Sequence, residues 1–196
     1  MASQQNGFTK ILSGWYDTYD HWRDYCLSTG INCDWLFGNQ CVDVPNFLWY
    51  QYGLTFYCGP VGFAYEIWTV SRDRNAKLPF VAMGGNASAM DRKKLIKRGD
   101  CLVFAPSGLN YTGHVAFADE DYNGTDFIKC LGQNQGQGTG WGKASNIVDN
   151  NLRVFLGAFR NTNWEKVNPD PTPLPKYVPP EHKFPWPVYL NRFRKR

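Results

Sequence analysis

Histidine is scarce in this chain: its 196 residues contain only His21, His114 and His182. No two cysteines form a C-x-x-C, and three histidines offer no zinc-finger spacing, so structural zinc is excluded. No run approaches the ~20 apolar residues that a bilayer crossing needs, which excludes a transmembrane helix. The start, Met1 to Lys10, is polar and lacks the basic-then-apolar order of a secretory signal. No G-x-G-x-x-G or P-loop follows a strand-like run, so a nucleotide-binding fold has no support. An excess of charge of either sign is missing from the body of the chain. Residues 1–167 carry 15 Lys/Arg and 15 Asp/Glu, and residues 168–196 supply the whole net +4. A neutral body gives no electrostatic footprint for nucleic acid, which is excluded as a partner.

What is present is apolar and aromatic. Hydrophobic residues make up 43% and aromatics 16% of the chain, far from a disordered composition. A chain of this length builds a core without staples, so the six cysteines need not form three disulfides. Cys101 and Cys130, inside apolar runs, read as reduced buried thiols.

Periodicity divides the chain. Phe8 to Leu27 repeats its large apolar residues at steps of three and four, which predicts an amphipathic helix. Further helices are expected over Cys41–Tyr52, Pro60–Thr69 and Ala87–Ile96. Four short runs rich in Val, Phe, Ile and Leu then predict strands: Cys101–Ala105, His114–Ala118, Asp126–Leu131 and Arg153–Phe159. Helices first and strands later argue for an α+β fold on a largely antiparallel sheet. Eight of the twelve prolines lie between Pro169 and Pro187. The expected organisation is an N-terminal helix in residues 1–30 that packs on or leads into the domain. A catalytic body over 31–167 and a proline-rich basic tail over 168–196 follow it.

Three residues stand where nucleophilic chemistry would need them. Cys41 opens a helix, where free N–H groups favour a thiolate and can hold an oxyanion, with Gln40 beside it as a further donor. His114 begins a strand behind Gly113, and Asn134 follows the next strand as an amide able to orient an imidazole. Each has a plainer reading: Cys41 as an inert helix cysteine, His114 as a strand-edge histidine, Asn134 as a turn residue. A second pattern overlaps the first. Asn32, Asp34, Leu36, Gly38 and Asp43 occupy positions 1, 3, 5, 7 and 12 of an EF-hand-type calcium loop. With two carboxylates the ion would be a weakly held structural calcium, and no cofactor is required for the chemistry. The competing reading makes Asn32 and Asp34 turn caps and Asp43 a helix cap. His21 is expected on a solvent-facing helix among Asp17, Asp20 and Asp24. The basic cluster Arg92-Lys93-Lys94 with Lys97-Arg98 reads as a solvated face or a contact for anionic polymers.

Together these elements resemble the CHAP domains (cysteine, histidine-dependent amidohydrolase/peptidase) of phage and bacterial peptidoglycan hydrolases. The resemblance covers roughly Ile31 to Arg160. It rests on Gly38-Asn39-Gln40-Cys41-Val42-Asp43, Gly85-Asn86-Ala87, Gly99-Asp100-Cys101-Leu102-Val103-Phe104, Gly113-His114-Val115-Ala116 and Gln133-Asn134. It implies a papain-like fold and cysteine-dependent cleavage of an amide or peptide bond in peptidoglycan, with Cys41 as nucleophile, His114 as base and Asn134 as orienting residue. Two departures stand out. Many phage members carry an acidic residue where this chain has Gly132, and a tryptophan where it has Gly84. The resemblance further implies an endolysin or a virion-associated lysin, kept in the host cytoplasm until it reaches the wall or carried on the virion. The basic, aromatic tail would then meet the virion or anionic wall polymers. The alternatives are a papain-like cysteine peptidase acting on protein and an inactive wall-binding or virion structural module.

Overall fold

The computed structural model of the chain describes residues 3–34, 38–108, 110–136 and 143–164. Strands β1 (Ser3–Asn6) and β2 (Thr29–Asn32) form a small parallel pair, separated by helix α1 (Tyr19–Ser28). Helix α2 (Asp43–Gln51) and the short helices α3 (Glu66–Thr69) and α4 (Arg72–Asn75) follow. Then come β3 (Phe80–Ala82), α5 (Ala89–Lys93), β4 (Cys101–Phe104), β5 (His114–Ala118), β6 (Phe127–Gly132), β7 (Asn146–Asn151) and β8 (Phe155–Asn161). The last six strands make one antiparallel sheet in the order β3-β8-β4-β5-β6-β7. The fold is α+β.

Both faces of the sheet are covered, and the period of two along β4 and β5 sorts their side chains. Cys101, Val103, Val115 and Phe117 join the main core with α1 and α2, while Leu102, Phe104, Ala116 and Ala118 join a second cluster with Leu152 and Phe155. Trp22 on α1 stacks on Phe47 of α2 at 6.3 Å and meets Phe117 of β5 edge-on at 6.4 Å. Helix α1 therefore belongs to the same core that seats α2 on β5. Among the described residues no helix is long and apolar enough to cross a membrane.

The helices are shorter than periodicity predicts, and in each case a polar side chain captures the backbone first. The segment before Tyr19 is not helical apart from a 3-10 turn at Ser13–Trp15. Gln51 accepts from the Ile11 N–H at 3.0 Å and donates to the Thr9 carbonyl at 3.0 Å, and Thr18 caps α1. Residues ahead of Glu66 are held by its carboxylate, which accepts from Val61 and Phe63 N–H at 3.2 and 3.1 Å. Ser88 caps α5 from Asp91 N–H. The four predicted strands match β4, β5, β6 and β8 within two residues.

The Gly99-Asp100 element of the resemblance has a structural use. Asp100, 1% exposed, receives Arg160 of β8 in a two-pronged pair at 2.8 Å each and accepts from Lys97 N–H at 2.8 Å. The pair ties the turn before β4 to β8. Removing one charge strands the other in a low-dielectric site, so Asp100→Asn should cost about 3–5 kcal/mol. Urea unfolding of D100N against the wild type measures this; a loss below about 1 kcal/mol would show that the pair adds nothing to the fold.

Candidate active site

The carboxy-terminal end of β6 and the tripeptide Gln133-Asn134-Gln135 sit between the two halves of the candidate site. On one side is the loop leading into α2. Gln133, buried, accepts from Ile31 N–H at 2.7 Å, donates to the Ile31 carbonyl at 2.8 Å and reaches the Gln40 carbonyl at 3.2 Å. Asn134 lies outward at φ +52°, a left-handed conformation that asparagine tolerates better than most residues. Its Nδ2 donates to Gln40 Oε1 at 3.1 Å. Asp43 closes the loop from inside: its two carboxylate oxygens accept from Cys33 N–H at 3.0 Å and Gln40 N–H at 2.7 Å. Burial pushes the Asp43 carboxyl up to about 7, against the pull of those two donors. Its contribution to stability is therefore greatest in acid and is lost as pH rises through about 7.

Cys41 stands at the end of this loop, half-buried, two residues before α2. Backbone N–H groups of Val115, Val42 and Cys41 itself point at its sulfur, yet burial outweighs them and pushes the thiol up to about 11. The Val115 contact sets Sγ against the peptide that joins His114 to Val115. Gly113 shapes the same entrance from the other side. It has φ +72°, and a Cβ there would lie 2.5 Å from the Phe104 carbonyl oxygen and 3.0 Å from Tyr65. No other residue type fits.

On the other side of the tripeptide is His114, 9% exposed, stacked on Phe104 with ring centres 6.2 Å apart. Burial lowers its pKa, partly offset by its bond to Gln135. Its Nε2 lies 2.9 Å from Gln135 Oε1. Gln135 cannot turn over: its Nε2 donates to the carbonyls of Cys130 and Asn146, both at 2.9 Å, and Asn150 Nδ2 donates to its Oε1 at 3.2 Å. Carbonyls only accept, so the oxygen end must face the imidazole, and the imidazole must answer with an N–H. That fixes the neutral ring with its hydrogen on Nε2 and its lone pair on Nδ1. Cys41 and His114 share no direct hydrogen bond among the described residues, a common state before substrate tightens a site.

The sequence expectations meet this geometry unevenly. Cys41 lies against the backbone N–H of Val115, the residue that follows His114, and Gln40 precedes Cys41 in the chain. Asn134 is not on the imidazole; it holds Gln40, and the imidazole contact belongs to Gln135, which the reading of the sequence missed. Asparagine is the residue of Gln-Asn-Gln best suited to a left-handed turn, a signal that pointed to a flanking glutamine. Of the residues at calcium-loop spacing, Asn32 is buried in β2, Asp34 is exposed, Gly38 is buried, and Leu36 lies outside the described residues. Asp43 caps the loop with both oxygens, so the donor set fits a capped turn better than an ion. No group of three His, Cys, Asp or Glu among the described residues could hold a metal.

The six cysteines are all free. His21 pairs with Asp17 at 2.8 Å. The basic cluster is met by carboxylates: Lys93 by Asp126, Lys94 by Asp91, Lys97 by Asp121, and Arg98 by Asp20. The expected tail contact lies outside the described residues.

No protein-family model matches the chain, and no curated protein matches it. Among solved structures, a wild type endolysin, LysIME-EF1, aligns with a TM-score of 0.56 at 17% sequence identity. The alignment covers 74% of this chain and 64% of that one, so this chain spans less than two thirds of the endolysin's length. The two share a fold.

The fixed Gln135 amide makes a specific spectroscopic prediction. Nitrogen-15 spectra above the His114 pKa should show the ring protonated on Nε2. Gln135→Leu should give a mixture of tautomers and Asn134→Ala should not. A ring protonated on Nδ1 in the wild type, or a response to Asn134→Ala alone, would contradict the geometry.

Proposed function

We propose that this chain is a peptidoglycan hydrolase that cleaves an amide or peptide bond of the bacterial cell wall through Cys41, in the manner of an endolysin or a virion-carried lysin. The observation that carries the reading is the convergence of two unlike groups. A thiol lies against the His114–Val115 peptide, and His114 is held by Gln135 with the lone pair of its other nitrogen left as a base. The fold shared with LysIME-EF1, an endolysin, supports the substrate class, as does the resemblance to CHAP domains.

The chemistry follows from the atoms present. His114 Nδ1 takes the Cys41 proton as the sulfur attacks the substrate carbonyl, forming an S–C bond and an oxyanion. The Gln135 carbonyl oxygen supports the imidazolium through the Nε2 hydrogen. Asn134 engages the side-chain oxygen of Gln40, the residue before Cys41, and the backbone N–H groups at the start of α2 stabilise the oxyanion. Collapse breaks the C–N bond, the imidazolium gives its proton to the leaving amine, and water then hydrolyses the thioester with His114 again as base.

Mass spectrometry of fragments from purified peptidoglycans tests the proposal. The wild type should release fragments with a new amine and a new carboxyl group at one type of bond. Cys41→Ser should reduce the rate at least ~10³-fold with an unchanged melting temperature. Undiminished release by C41S would remove Cys41 from the mechanism, and intact walls after wild-type treatment would remove the substrate class.

A further inference from the structure

Residues 58–65 run from one half of the candidate site to the other. Cys58, half-buried, lies within electrostatic reach of Cys41. At the far end Tyr65 N–H donates to the Thr112 carbonyl at 3.2 Å, two residues before His114, and the Tyr65 Cβ packs where Gly113 lacks one. The loop is held from beneath by buried Glu66, whose carboxylate accepts from two of its N–H groups. Glu66 therefore sets its shape from below; Val61 faces solvent, Phe63 and Tyr65 are half-buried, and Ala64 is buried in the core. Val61 is 63% exposed and Tyr111, across the entrance, 74%. Phe63 meets Tyr111 edge-on at 6.1 Å and Tyr65 at 6.0 Å.

Exposed Tyr111 and half-buried Phe63 and Tyr65 make a cluster of rings at the surface, the kind of feature that marks an interaction site. Neither these rings nor Val61 carries an ionised group. The peptide parts of peptidoglycan carry carboxylates and amines, which would need charged partners here; the sugar rings present neutral C–H faces that pack on aromatic rings. We propose that Phe63, Tyr65 and Tyr111 form a shelf that stacks a neutral sugar ring of the glycan strand beside the Cys41–His114 pair. The assignment rests on the peptidoglycan reading above and names the part of the substrate that this wall receives.

The test uses the full chain carrying Cys41→Ser, so that nothing is turned over, and titrates chitotetraose, a neutral β-1,4-linked N-acetylglucosamine oligomer. Calorimetry should show saturable binding, and aromatic NMR signals of Phe63 and Tyr111 should move. Tyr111→Ala and Phe63→Ala should each weaken binding about tenfold, Tyr111→Phe should restore it, and Phe127→Ala, at an exposed ring on β6, should leave it unchanged. Absence of binding, binding indifferent to Tyr111→Ala, or displacement from the shelf by a glycan-free stem peptide would overturn the sugar assignment. The two readings fail separately. If the wild type cuts peptidoglycan while the tetrasaccharide leaves the shelf unperturbed, the shelf falls and the hydrolase stands. If the sugar binds while walls stay intact, the hydrolase falls and the sugar site stands.

Discussion

Two backbone carbonyls, those of Cys130 and Asn146, hold the Gln135 carboxamide in one orientation, and the order of the candidate site depends on it. The amide's oxygen is thereby turned to His114, the ring's hydrogen is assigned to Nε2, and the opposite nitrogen is left basic. An amide is a weaker partner for an imidazolium than a carboxylate would be. Its advantage is that it is neutral, and so can be buried in the β6–β7 turn without a counter-charge. The same turn reaches the loop before Cys41 through Gln133 and Asn134. Three consecutive side chains thus set the distance between the two halves of the site.

Burial dictates the resting charge of that site. It pushes the Cys41 thiol up to about 11 and the His114 imidazole down, so both groups prefer their uncharged forms near neutral pH. A thiolate–imidazolium pair would have to form against this preference. The N–H groups aimed at Sγ from Val115 and Val42 lower the cost of forming a thiolate, and a bound carbonyl supplies the acceptor for the new bond. Under the proposed function, proton transfer would be coupled to the arrival of substrate, and the half-buried thiol would until then be slow to alkylate or oxidise.

Much of the fold was legible because a strand covered on both faces leaves a short, continuous apolar run, as in β4 and β5. The runs at Cys101, His114, Asp126 and Arg153 are short and rich in apolar residues, and all four are strands. Strand β7, Asn146–Asn151, was not legible: none of its six positions is buried and four carry Asn or Asp, so it reads as a turn. The parallel pair β1 and β2 is held by polar contacts that propensity does not register, Ser3 Oγ with Thr29 Oγ1 at 2.7 Å among them. In the candidate site, the places of Cys41 just before a helix and of His114 at the head of a strand were legible. The third residue was not, because Gln133, Asn134 and Gln135 carry the same functional group, and only the turn at Asn134 decides which one reaches the ring.

The central claim is that Cys41 and His114 rest as an uncharged pair whose geometry is set by Gln135. The rate of iodoacetamide labelling at Cys41, mapped by peptide mass spectrometry from pH 5 to 10, tests it most directly. An uncharged resting pair predicts a rate that climbs about tenfold per pH unit through neutrality and is still rising at the alkaline end. A rate already level from pH 5 upward would show a standing thiolate–imidazolium pair and contradict the account.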